Sequence, residues 1–255
     1  MKRLALLFFF PSLLPALYQG NPAEPELIDK GFFISQDSFF SFKLGYEGDF
    51  VSDRMLEAHE GATGRMDSFN FHVNQGVFSL NMMDGIEVYG TLGSMNAYIA
   101  HHPGFDNIRR EYQTKDHLAW GTGGRVIFFR AGDYVLGCSG GYFSSASPVE
   151  WDALDGVSFP TTAKFHYHEW QIGVGLSLQI DFLVPYAAIK YSHVKSEINH
   201  LQGFFLPHTS FKMKSREHWG ATLGVTITKG KYFDLTAEVQ LFDEQAATVS
   251  GMLKF

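Results

Sequence analysis

The residues able to do chemistry in this 255-residue chain are charged groups and histidines set two apart within otherwise apolar alternation. Ten of them, Lys43, Glu47, Asp49, Glu87, Arg125, Glu169, Lys190, Asp234, Glu238 and Lys254, fall on the polar side of stretches whose other side is apolar. Successive strand side chains point to opposite faces, so such a set shares one surface. Six acidic and four basic groups on one surface are not a nucleophile with its base. They fit a water-facing lining that would mildly favour cations, or groups that pair with one another and fill a closed interior. His166 and His168 share a strand face and could touch one metal. No third ligand is evident, and with Trp170 on the same face they read as part of an interfacial aromatic belt. His101 and His102 read as a polar loop pair. A hydrolase would need an Asp and a His converging on water; Asp152, Asp155, His166 and His168 are the nearest candidates, without an accompanying motif. No catalytic residue, metal or cofactor is assigned.

The elements that position these groups are strands. In the C-terminal stretch, Trp219, Ala221, Leu223, Val225 and Ile227 alternate with small or polar residues, and so do Phe233, Leu235, Ala237, Val239 and Leu241. The final row, Val249, Gly251, Leu253 and Phe255, runs to the last residue, and Phe255 is the terminal aromatic typical of outer-membrane barrels. Upstream, Phe40, Phe42, Leu44, Tyr46 and Phe50 form the apolar row of a strand over 39–51. Strands follow over 68–81, with the alternation broken near Gly76-Val77 as if by a bulge, and over 86–100, 116–130, 133–146, 164–180 and from about 185 to 195.

Connections near 82–85, 131–133, 181–185 and 229–231 are short. Those over 54–67, 101–115, 147–163 and 196–211 read as loops, with a brief 243–245 turn as the exception. Short turns at one end and longer loops at the other are the asymmetry of an outer-membrane barrel. The expected fold is therefore all-β: a transmembrane antiparallel up-and-down barrel of about ten strands, with eight or twelve as the alternatives.

Composition agrees. Mean hydropathy is −0.07, as expected when lipid-facing and interior residues alternate. Aromatic content is 16%, with 25 Phe, which suits an apolar outer band and aromatic girdles. A net charge of −7 without basic stripes disfavours a nucleic-acid partner. Cys138 is the single cysteine, so no internal disulfide forms. Lys2 and Arg3, the short apolar run 4–14 and Ala16 read as a secretion signal over 1–16. Residues 17–38, with GNPAEP at 20–25, read as an extended, non-helical periplasmic leader. The barrel domain is then 39–255.

Several motifs resemble the chlamydial major outer membrane protein (porin) family along nearly the whole mature sequence. They are GNPAEP at 20–25, GYEGDFVSDRML at 45–56, TLG at 91–93, AWGTGGR at 119–125, YHEWQ at 167–171, PYAAIKYSHV at 185–194, KMKSR at 212–216 and LFDEQAATVSGMLKF at 241–255. The resemblance implies an outer-membrane barrel that passes small hydrophilic solutes, contributes to envelope structure and often assembles as a homotrimer. Its partners would be outer-membrane lipid, the barrel-assembly machinery through Phe255, and solutes in transit. Family members are typically cysteine-rich and longer. A cross-linked envelope network and loop-borne recognition therefore do not carry over to this chain. A non-conducting structural or adhesive barrel is the alternative, because about eight strands leave room only for side chains whereas sixteen leave an aqueous channel.

Overall fold

The computed structural model describes residues 18–27, 39–59, 64–83, 85–104, 108–201, 210–229 and 232–255. Its strands are β1 (Phe40–Arg54), β2 (Leu56–His59), β3 (Gly64–Met82), β4 (Ile86–Pro103), β5 (Arg110–Thr114), β6 (His117–Ala131) and β7 (Tyr134–Leu154). They continue as β8 (Val157–Phe159), β9 (Lys164–Leu178), β10 (Leu183–Asn199), β11 (Ser210–Ser215), β12 (Trp219–Lys229), β13 (Phe233–Leu241) and β14 (Glu244–Lys254). All pairings are antiparallel, and β14 pairs with β1, from Lys43↔Lys254 to Arg54↔Glu244, which closes the sheet on itself. The two halves β5/β6 and β11/β12 each occupy one wall position, so the ring has about ten strands. Closure leaves no unpaired strand edge in lipid, which an open sheet could not avoid.

Four of the expected loops are in part strand. β2 and the start of β3 lie within 54–67, β5 within 101–115, the end of β7 and β8 within 147–163, and the end of β10 and start of β11 within 196–211. These extensions pair among themselves, as in Ile198↔Phe211 and Tyr112↔Asp152, and prolong the wall at the long-connection end. The short connections turn on left-handed residues: Gly132 at φ +58 and Asp181 at φ 53. Glycine meets no steric cost there. The brief turn near the C-terminus falls at Phe242 and Asp243, with Phe242 at φ 81, and strand begins again at Glu244. Gly230 and Lys231 of the expected 229–231 turn lie outside the described residues.

No bulge sits at Gly76. Its neighbours pair in unbroken register (Tyr46↔Gly76, Gly76↔Leu92), and the register shift in β3 falls between Met66 and Ser68. What changes near Gly76 is which face is apolar. Toward the short turns, Phe78 points outward and Ser79 and Asn81 inward. Toward the long end, Phe69, Phe71 and Val73 point inward, with Asn70 and His72 outside. The same inversion occurs in β9, where Phe165 and Tyr167 are buried, and in β10, where Val194 and Ile198 are. The two halves obey different solvents. In the hydrocarbon zone the outside must be apolar; above it water surrounds the wall, and the apolar groups turn inward. Phe69, Phe71, Ile99, Phe143, Phe165 and Tyr167 join one buried cluster there.

The segment 18–27 lies inside the ring. Its polar groups meet six different strands, on all sides of the interior. Contrary to the non-helical expectation, Glu24–Leu27 forms one helical turn, α1. Pro25 is tolerated because the first helical turn needs no N–H partner. Asn21 precedes it, its Oδ1 accepting from Ala23 N at 3.0 Å and its carbonyl from Glu24 N at 2.9 Å.

Candidate functional site: the barrel interior

The interior is built by strand parity. In β9, Glu169 and Gln171 are buried while Trp170, Ile172, Val174 and Leu176 are exposed. In β13, Asp234, Glu238 and Gln240 are buried while Leu235 and Val239 are exposed. All ten charged residues singled out in the sequence, Lys43, Glu47, Asp49, Glu87, Arg125, Glu169, Lys190, Asp234, Glu238 and Lys254, are buried within the ring. They are not spread evenly; the structure gathers five of them, Lys43, Glu87, Arg125, Glu169 and Lys190, into two ion-pair networks.

The first network lies toward the short-turn end. Lys43 Nζ sits 3.5 Å from Glu87 Oε1, and Arg125 Nη1 lies 3.4 Å from Glu87 Oε2 and 3.3 Å from Glu24 Oε2. The Arg125 guanidinium also lies over the Tyr89 ring at 4.6 Å and the Tyr18 ring at 5.2 Å, a cation–π arrangement in a desolvated setting. Burial raises the Glu24 carboxyl above its ordinary range, and Arg125 opposes that rise.

The second network is centred on Arg54. Its guanidinium donates to Asp243 Oδ2 at 2.7 Å, Glu169 Oε1 at 2.8 Å and Ser192 Oγ at 2.7 Å. Lys190 approaches Asp243 at 3.2 Å and donates to Glu244 and Gln240. Burial alone would raise the Asp243 carboxyl, but Lys190 and Arg54 hold it below the ordinary carboxylate range. Three of the remaining carboxylates have neutral partners. Glu47 accepts from Gln75 Nε2 at 2.6 Å, Asp49 from Thr248 Oγ1 at 2.5 Å, and Glu238 from the Tyr186 hydroxyl at 2.6 Å.

Arg54, Asp243 and Glu244 were not legible as interior groups. Alternation through Val51 would place Arg54 outside, but a register shift between Val51 and Asp53 reverses the parity and turns it inward. The left-handed turn at Phe242 then places Asp243 and Glu244 both inward in succession.

The segment 18–27 fills the space between the networks and the short-turn end. The backbone N–H groups of Gln19 and Gly20 each donate to Glu238 at 3.1 Å. Asn21 Nδ2 donates to the Val184 carbonyl at 3.1 Å and Thr226 Oγ1 at 2.9 Å, while its Oδ1 accepts from Ser177 Oγ at 2.6 Å. Lys43 Nζ donates to the Glu24 carbonyl at 2.6 Å, and Gln179 Nε2 to Glu26 Oε1 at 2.7 Å. Arg130 pairs with Glu26. The wall makes room with glycine. A Cβ on Gly175 would come within 2.7 Å of the Pro22 ring, and one on Gly137 within 3.0 Å of the Pro22 carbonyl.

The other candidates are dispersed. His168 faces outward, with Nδ1 2.7 Å from the Tyr142 hydroxyl and 3.1 Å from Ser144 Oγ. Asp152 pairs with Arg110, and Asp155 caps the backbone N–H of Arg109 at 2.8 Å. His101 is not a loop residue; it is buried in β4 and stacks on Phe211 at 4.0 Å.

A closed antiparallel ring with an apolar outer band and an interior lined by charged and polar residues is a transmembrane β-barrel of the outer-membrane type. Residues 124–203 match the profile of the family described as Chlamydia major outer membrane protein. The chain is 23% identical to a major outer membrane porin of Chlamydia pneumoniae over 369 aligned residues, covering 95% of each protein. It is 25% identical to the serovar L1 major outer membrane porin of Chlamydia trachomatis over 378, covering 96% of each. Among solved structures it is similar to the outer membrane protease OmpT of Escherichia coli, at 11% identity and a TM-score of 0.41, over 84% of this chain and 93% of that one. The chain is thus similar to the chlamydial major outer membrane protein family along most of its length, and it matches that family's profile over residues 124–203. It is a multi-pass protein of the outer membrane. The aligned spans exceed its 255 residues, so the relatives carry additional residues between matched segments.

Proposed function

We propose that this chain is a porin through which small hydrophilic solutes diffuse passively, with the interior charges setting a mild preference for cations. The observation that carries this reading is the interior of charged and polar residues in the membrane-spanning half, in a chain similar to proteins named porins. Lys43, Glu47, Asp49, Glu87, Arg125, Glu169, Lys190, Asp234, Glu238 and Lys254 are the proposed pore lining. Segment 18–27 occupies that path, so conduction requires it to leave its seat. Residues 1–16 act as a removable secretion signal, 17–38 as a leader, and 39–255 as the barrel. Phe255 serves recognition by the barrel-assembly machinery, and the assembly is a homotrimer.

The test is single-channel recording of the refolded mature chain with the double variant Glu47→Gln, Asp49→Asn. These two carboxylates have neutral partners, so neutralising them orphans no buried cation. Discrete conductance steps whose reversal potential moves toward anions in the variant are expected. A folded barrel that gives no steps even after deletion of 18–27 would sink the porin reading.

A further inference from the structure

The outer wall of β9, β10 and β11 carries a feature that solute passage does not use. An aromatic belt passes across this sector from β6 to β12: Trp120 meets Tyr142 at 5.7 Å, Trp170 meets Tyr191 at 5.5 Å, and Tyr191 meets Trp219 at 5.2 Å. Such girdles mark the level where hydrocarbon ends. Immediately beyond it, on the same outward face, the register sets His168 against Lys195 and Lys195 against Lys214. Opposed residues on one face have Cβ atoms about 5 Å apart, and like charges there are destabilising. Lys195 is exposed and Lys214 half-buried, so both ammonium groups reach the outside.

One step farther along, His166 opposes Glu197, which opposes Lys212, which opposes His59. A cleft of about 420 Å³ opens over these positions, lined by His59, His166, His168, Lys195 and Lys212 among others. The nearby carboxylates are Glu197 and Glu57. Glu57 pairs with Lys214 at 3.2 Å between side chains a third to a half exposed, an ion pair that water weakens and another anion can exchange.

A chain of net charge −7 thus concentrates lysine and histidine at one height on one sector of its wall. The height is that of lipid headgroups at the long-connection end, the outer leaflet. We propose that this sector binds the phosphate-bearing headgroup of an outer-leaflet lipid, with Lys195 and Lys214 gripping the phosphate and His168 beside them. The anion removes the repulsion between the two lysines, and the girdle below holds the acyl chains against Trp170 and Tyr191. The inference rests on the barrel's membrane placement and not on conduction, so failure of the porin reading leaves it standing.

The test uses the refolded chain in phosphatidylcholine nanodiscs doped with a bisphosphorylated glycolipid, with its dephosphorylated counterpart, or bathed in inorganic phosphate. Lipid retained on the purified barrel and the midpoint of heat-modifiability are read for the parent, for the double variant Lys195→Gln, Lys214→Gln, and for Arg65→Gln, Arg109→Gln elsewhere on the rim. Headgroup attraction of roughly fivefold per lysine predicts about a thirtyfold loss of phosphorylated-lipid affinity in the lysine double variant. The arginine variant should keep it. In plain phosphatidylcholine the lysine variant should melt close to the parent, because relief of the like-charge pair offsets loss of the solvent-weakened Lys214–Glu57 ion pair. Undiminished binding by the lysine variant overturns the proposal, and so does equal retention of the dephosphorylated lipid. A matching response to inorganic phosphate alone would assign the sector to free anions and overturn the lipid assignment.

Discussion

Asn21→Ala should loosen the interior segment without touching the wall. Asn21 makes three side-chain hydrogen bonds to the barrel, two donated to Val184 O and Thr226 Oγ1 and one accepted from Ser177 Oγ. All are buried, and each contributes on the order of 1 kcal/mol net. Their loss destabilises the seated state by about 3 kcal/mol relative to a displaced state in which water satisfies the same wall groups. At about 1.4 kcal/mol per factor of ten, the ratio of displaced to seated segment rises roughly a hundredfold. The wall strands keep their ladders, so the folded barrel should survive. The assay is single-channel recording in a planar bilayer, comparing the open-to-closed ratio of the variant with that of the parent, with heat-modifiable mobility as the check on folding. An unchanged ratio in a correctly folded variant would refute the reasoning, because the segment would then not be what limits passage.

Gly175→Ala attacks the same seat sterically: its Cβ would meet Pro22 at 2.7 Å and Ala188 at 2.8 Å, so it should also raise open probability in the same recordings, whereas Gly76→Ala, whose nearest neighbour is 3.8 Å away, should not. Leu176→Arg or Leu223→Arg places a charge on the outer wall, where both residues are about half exposed (47% and 51%), and should impair folding into lipid by about 2–4 kcal/mol near the midplane, read by urea titration in bilayers. Cys138 is half-buried and paired across the sheet with Val126 and Val174, both exposed on the lipid face. Its thiol should react slowly with a water-soluble maleimide in bilayers, and fast labelling there would contradict the assigned facing.

The sequence alone determined the wall. Two-residue alternation fixes which side chains leave on which face, so the ten buried charged residues could be named from it. So could the approximate strand number, from the spacing of turns. The resemblance to the porin family was legible from motifs distributed along the chain. The ends of the strands were not, because beyond the girdle the wall stands in water and the apolar side turns inward. A reader expecting one rule of polarity sees a broken strand at Gly76 and loops at 54–67 and 196–211.

Only the tertiary structure decided what fills the ring. Arg54 turns inward through a single register shift after Val51, and a left-handed Phe242 brings Asp243 and Glu244 to meet it. The segment 18–27 has no local pattern that reveals its place. Its partners Glu238, Val184, Ser177 and Arg125 lie more than a hundred residues away in sequence. Strand parity is a local property of the chain, whereas occupancy of the interior depends on groups that meet only once the sheet has closed.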